Sequence, residues 1–263
     1  MKAAKPIVAI AILMIVATAA YLLVSRAVQT DLLLTNVTAA PIEDAPGSVG
    51  VFMTIRNSGG PDRLVSARSI VAQRARLDHA VADAGLAIPA DSEPALAPDG
   101  AFILMDGIGG DLQEGRMIPV TLRFETAGEF RTQARLVTPQ RRGKARDYGL
   151  LGLGDICTVQ DGEPAPSIAI EVEPDGDGWT VRVLTEDFTF ANDAADGVHV
   201  PGTGHGHLYL SGLKLQRLYE PEARIGALPP GKHQVRVTLN TNDHRAYVVD
   251  DRPVSATAEI IVR

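Results

Sequence analysis

Residues 202–210 read GTGHGHLYL, with two histidines two apart, glycine on either side and an alternating apolar run behind them. In a strand, residues i and i+2 face the same way. At ~3.3 Å per residue the Cβ atoms of His205 and His207 stand about 6–7 Å apart. That separation lets two imidazoles converge on one ion at roughly 2.0–2.1 Å each. Gly204 and Gly206 leave the opposite face bare, so another backbone or a ligand can approach there. Five of the six histidines lie between residues 199 and 244. A third ligand is expected from TLNTNDH, where His244 follows a strand of the same sheet and Asp243 is placed to orient an imidazole. His199, in the loop before the motif, is a further candidate, and His233 after LPPG reads as a turn histidine. A packing role, or recognition of another ligand, stays open for the pair.

Imidazole donors without thioether or thiolate suit Cu(II), Zn(II) or Ni(II) rather than Cu(I). Neutral imidazole is the ligand, so affinity is expected to weaken as pH falls through about 6.5. Other chemistry is not signalled. G-x-S-x-G, H-E-x-x-H and P-loop motifs are absent. GLLGLGD lacks the spacing of a dinucleotide loop. Glu186-Asp187 and Asp250-Asp251 read as solvated turn residues. Cys157, the single cysteine, has no neighbouring group in sequence to activate it and reads as buried. No enzyme activity is expected.

The elements that must position these histidines read as strands. SVGVFMTIRN alternates, with Val49, Val51, Met53 and Ile55 on one face. DRLVSARSI, QRARLDHAV, AFILMDGI, IPVTLRFET and FRTQARLVT follow, separated by NSGGPD, PADSEP, APDG and TAGE turns. SIAIEVEPDGDGWTVRVL reads as a hairpin. HGHLYLSGLKLQRLYE reads as another, turning at Ser211-Gly212, and HQVRVTLNTND and ATAEIIVR add two strands. The expected class is all-β: two antiparallel β-sandwich domains, cupredoxin-like or immunoglobulin-like, at residues 30–138 and 167–263. Residues 139–166, rich in glycine and basic residues without a clean period, read as a connector.

Residues 1–29 read as an N-terminal transmembrane helix or signal segment. Lys2 and Lys5 precede an uncharged run from Pro6 to Ser25, long enough to cross a hydrocarbon core of ~30 Å. The positive flank keeps the N-terminus inside, so the rest is exported to the periplasm, anchored to the inner membrane or released if cleavage follows Ala27. The net charge of −7 and the lack of a basic, aromatic-interleaved stripe argue against nucleic acid as partner.

VFMTIRNSGGPDRLVSARSIVAQRARLDHA and DGAFILMDGIGGDLQEGRMIPVTLRFETAGE resemble the PCuAC family of periplasmic copper chaperones, over residues 36–137. The resemblance implies a cupredoxin-like sandwich, Cu(I) held by His and Met, and a role in assembling the CuA centre of cytochrome oxidase. On the family pattern the first ligand falls on His79. The expected Met near Pro89 and Ala90 is missing, and the His-x-Met pair falls on Phe102 and Leu104. Met53 and Met105 remain as soft donors and otherwise fill the core. Residues 197–263 resemble bacterial exported domains with a G-H-x-H-L motif, a P-P-G-x-H turn and a later D-H, some of which travel with copper-handling modules. The expectation is a membrane-anchored periplasmic copper-handling protein. Its metal, Cu(II) with Zn(II) as the alternative, is held by His205, His207 and His244, with His199 and His79 as further candidates. The competing expectation is a non-metal envelope adaptor that binds a protein partner.

Overall fold

The computed structural model describes Met14 and residues 31–78, 85–192 and 196–263. The expected membrane segment and His79 lie outside the described residues, apart from Met14. Leu32–Arg263 forms one compact unit. Its described residues are twenty strands and loops, with a single five-residue 3₁₀ turn at Lys144–Tyr148. The all-β expectation therefore holds. Pairing is mostly antiparallel, but Leu32–Pro41 runs parallel to Gly128–Leu136, Ile156–Thr158 to Ala246–Val249, and Thr189–Phe190 to Thr203–Leu210.

Alternation explains the first block. Val49, Val51, Met53 and Ile55 point inward and are fully buried. They meet Leu64, Ile103, Met105, Ile118, Val120 and Leu122 in one core. Met53 and Met105 are thus core fillers. In the second block Leu208 and Leu210 pack with Val235, Val237, Val181, Val183 and Ile260. Both expected hairpins form. Asp175 pairs with Gly178 around Gly176 at φ 62°, and Leu210 pairs with Leu213 around Ser211 and Gly212 at φ 49° and 95°.

The blocks expected as separate sandwiches are knit together within this unit. Leu213 packs in the first core and Ala87 in the second. Lys214 pairs with Ala95, and the Ala101 amide donates to the Gly212 carbonyl at 2.7 Å. A side chain on Gly226 would meet the Ala90 carbonyl at 2.1 Å, so the backbones touch there. The stretch read as a connector is structured too. Ile156–Thr158 pairs with Ala246–Val249. Gly152 lies against the Pro98 carbonyl so closely that a Cβ would sit 2.2 Å from it. Its irregular conformation carries no period, which is why it reads as a linker.

Two cores locked together by these contacts should unfold as one. Leu208→Ala removes a fully buried side chain and should cost about 2–5 kcal/mol. Urea titration of the full chain, followed by Trp179 fluorescence and by far-ultraviolet circular dichroism, should show coincident midpoints that shift together in the variant. Separate midpoints would contradict a single cooperative unit.

Candidate metal centre

The strand Thr203–Leu210 lies between Leu213–Leu218 and Gly231–Asn240. Its register sets His205 opposite Asn240, His207 opposite Thr238 and Tyr209 opposite Arg236. Cross-strand partners share a face, so one face of this sheet carries a polar row while Leu208 and Leu210 supply the other. Gly204 makes the register feasible: a Cβ there would lie 1.9 Å from the Asn240 carbonyl oxygen. Gly206 is pressed against Leu218. Both glycines therefore serve the close approach expected of them.

His205 and His207 are fully buried, with Nε2 atoms 2.9 Å apart. Beyond Asn240 the chain turns back, the His244 amide donating to the Thr241 carbonyl at 3.0 Å. His244 adopts φ 68° at the end of this turn. Its ring centre stands 4.8 Å from that of His205 and 6.0 Å from that of His207. One ligand atom from each of the three imidazoles lies within 4.8 Å of the others.

The orienting carboxylates are Asp99 and Asp196. Asp99 sits in the Pro98-Asp99-Gly100 turn of the first block. Its Oδ2 accepts from His207 Nδ1 at 2.7 Å, from Lys214 Nζ at 2.6 Å and from the Tyr209 hydroxyl at 3.2 Å. A carboxylate on Nδ1 fixes the tautomer and leaves the lone pair on His207 Nε2. That nitrogen accepts from Lys214 Nζ at 3.2 Å and from His205 Nε2. Asp196 accepts from His244 Nε2. Asp243, expected in this role, instead binds Thr241 Oγ1 and Arg245, shaping the turn.

The row is richer in polar atoms than in partners. His205 Nδ1, Thr238 Oγ1 and Asn240 Oδ1 are buried without a hydrogen-bond partner among the described residues. Asn240, Thr238 and His244 line a cavity of about 20 Å³, roofed by Ala145, Leu150 and Gly154 of the stretch read as a connector.

Burial controls the electrostatics. Desolvation lowers His205 to about 3, with the His207 and His244 rings adding to it. Desolvation also lowers His207, to about 4, against the opposing pull of Asp99. Asp99 is held well below the usual carboxylate range: its bond and charge pairing with His207, and Lys214, outweigh its own desolvation. His205 and His207 are therefore neutral, ligand-competent groups below pH 6.5. At these two residues proton competition is displaced below the expected pH.

The remaining candidates lie elsewhere or outside the described residues. His199 Nε2 faces Cys157 Sγ at 3.7 Å rather than joining the triad. Cys157 is buried, as expected, and desolvation raises its thiol. His233 donates to the Pro229 carbonyl at 2.7 Å, a turn role. Phe102 and Leu104, at the family's His-x-Met positions, belong to an apolar cluster with Phe52 and Leu153. The described residues of the first block thus offer no His-x-Met pair there. Sequence reasoning missed Asp99, Asp196 and Lys214. APDG reads only as a turn, and nothing in it signals a contact with the histidine strand.

Two outcomes check this site. Gly204→Ala should break the register, lower stability by about 1–3 kcal/mol and separate the histidines, read from the melting temperature and from histidine NMR shifts. The second is pH. Unfolded imidazoles titrate near ~6.5, and His205 and His207 in the fold at about 3 and about 4. Between these values the unfolded chain binds more protons, so apo-protein stability should fall as pH drops from about 6.5 toward 4. Asp99 adds its own loss only below about 3.9. Melting in chelator should show this slope, shallower in His205→Leu; a flat profile would contradict the burial described.

No curated protein matches the chain. Three similar solved structures each span about two fifths of it. A copper-bound PCuAC domain from PmoF2 is 23% identical, covering 41% of this chain and 94% of that one, with a TM-score of 0.38. An apo PCuAC domain from PmoF1 is 26% identical, covering 41% and 95%, with a TM-score of 0.38. Apo-DR1885 from Deinococcus radiodurans is 19% identical, covering 42% and 81%, with a TM-score of 0.33. Residues 24–136, the first strand block with the residues leading into it, match the LpqE-like family, described as putative lipoprotein LpqE-like.

Proposed function

We propose that the protein handles copper outside the cytoplasm, taking Cu(II) as cargo on His205, His207 and His244. The observation that carries this reading is the convergence of three imidazoles, two of them fully buried and neutral, with carboxylates holding His207 and His244. The donor set is all nitrogen, which suits a borderline divalent ion. The resemblance of residues 36–137 to PCuAC chaperones supports copper over zinc, which stays the alternative ion. It also supports cytochrome oxidase assembly as the destination.

In this reading the first block has exchanged its own ligands for a supporting part. Phe102 and Leu104 fill a core, while Asp99 holds His207 from behind. The likeness of residues 24–136 to putative lipoproteins supports export. The uncharged run from Pro6 to Ser25 is proposed to tether the unit to the inner membrane. The chain's part is to bind and release, not to catalyse.

Calorimetric titration of the full chain in mild detergent tests this. One Cu(II) should bind per chain, with Zn(II) weaker. The His205→Ala/His207→Ala double variant should lose binding by 100-fold or more, since two of three ligands are gone. Asp99→Asn should weaken it by about 10–100-fold, as the loss of an orienting partner does. Absence of Cu(II) binding by the wild type, or full binding by the double variant, would sink the proposal.

A further inference from the structure

Lys214 is the group in the centre that the functional reading leaves unused. It lies on Leu213–Leu218, whose pairing with the histidine strand slips by one residue. Leu208 is opposite Gln216, yet Tyr209 is opposite Lys214. The extra residue, Leu215, makes a bulge. Bulges re-aim the side chains beside them. Here the slip sets Lys214 on the polar face with Tyr209 and His207, where unbroken alternation would have set Leu215. The ammonium lies 2.6 Å from Asp99 Oδ2 and 3.2 Å from His207 Nε2. It thus shares with His205 Nε2, 2.9 Å from the same nitrogen, the lone pair that the Asp99–His207 bond reserves. Its side chain is 14% exposed, which leaves a path to solvent.

We propose that Lys214 is a resident cation of the histidine centre, holding the lone pair and the carboxylate of the metal-free site until a divalent ion displaces it. This rests on the functional reading above. Lys214 keeps the His207–Asp99 pair neutralised and oriented without metal, so the empty site need not collapse. A metal ion then replaces one cation by another instead of entering an uncompensated anionic pocket. The held ion is correspondingly exchangeable, because the ammonium stands ready to retake His207. Such a centre fits a carrier that must surrender its cargo. A closed structural site has no use for a competing cation within reach of its ligand.

Two substitutions in the full chain test the idea. Lys214→Met keeps the length and removes the charge, while Asp99 retains His207 and Tyr209 as partners. Lys214→Arg keeps the charge. Cu(II) and Zn(II) affinities are read by competition with a chromophoric chelator, and release by stopped-flow transfer to excess chelator. The Met variant should bind Cu(II) on the order of tenfold tighter or more, and release it more slowly, because a like charge has left the site. The Arg variant should bind no tighter than the wild type. Without metal, the ¹⁵N shift of His207 Nε2 should move in the Met variant as its ammonium donor is lost. Equal or weaker binding by the Met variant, or an unmoved Nε2 shift, overturns the proposal while the functional reading stands. Failure of the wild type and the variants alike to bind metal overturns both.

Discussion

A carboxylate drawn largely out of water must be paired, and among the described residues the side-chain partners of Asp99 come from the second strand block. His207, Lys214 and Tyr209 all donate to one oxygen. The turn that carries Asp99 belongs to the first block and is held from outside it, with Ala101 donating to the Gly212 carbonyl of the second block and Gly152 of the intervening stretch lying under Pro98. The histidine centre therefore exists only where the two blocks are docked. Docking in turn has its polar lock at this oxygen. The same bond selects the His207 tautomer, so fold and ligand chemistry are set by one contact.

The histidine strand serves two masters. One face, with Leu208 and Leu210, closes an ordinary apolar core. The other buries His205, His207 and Tyr209 against Thr238, Asn240 and Arg236. Burying a polar row is costly unless its atoms are bonded, and several here lack partners among the described residues. Proteins accept that cost at sites that bind something. The glycines, the bulge at Leu215 and the left-handed turn ending at His244 each depart from plain alternation, and each departure aims a group at the same spot.

The long strands were legible because alternation reports burial directly. Val49 to Ile55 and the hairpins at Gly176 and Ser211-Gly212 read correctly for that reason. The pairing of His205 with His207 followed from strand periodicity, and the arrival of His244 followed from its place after a strand of the same sheet. Strands of two or three residues, such as Ala95–Leu96 and Ile156–Thr158, are too short to show a period. The bulge was illegible because LKLQRL reads as unbroken alternation. Asp99 lies 115 residues from Lys214, and no local pattern announces a contact of that range. Asp243 drew attention by adjacency to His244, but its short side chain is committed to Thr241 and Arg245 within its own turn. A carboxylate's role was inferable from the sequence; its identity required the tertiary docking.

The most direct test counts and identifies the donor atoms on bound copper. X-ray absorption of the Cu(II)-loaded full chain, with pulsed electron paramagnetic resonance for the imidazole nitrogens, reads both. Three coordinating imidazoles at about 2.0 Å and no sulfur scatterer is the result this account predicts. A thioether or thiolate in the first coordination sphere, or a single imidazole, would contradict it.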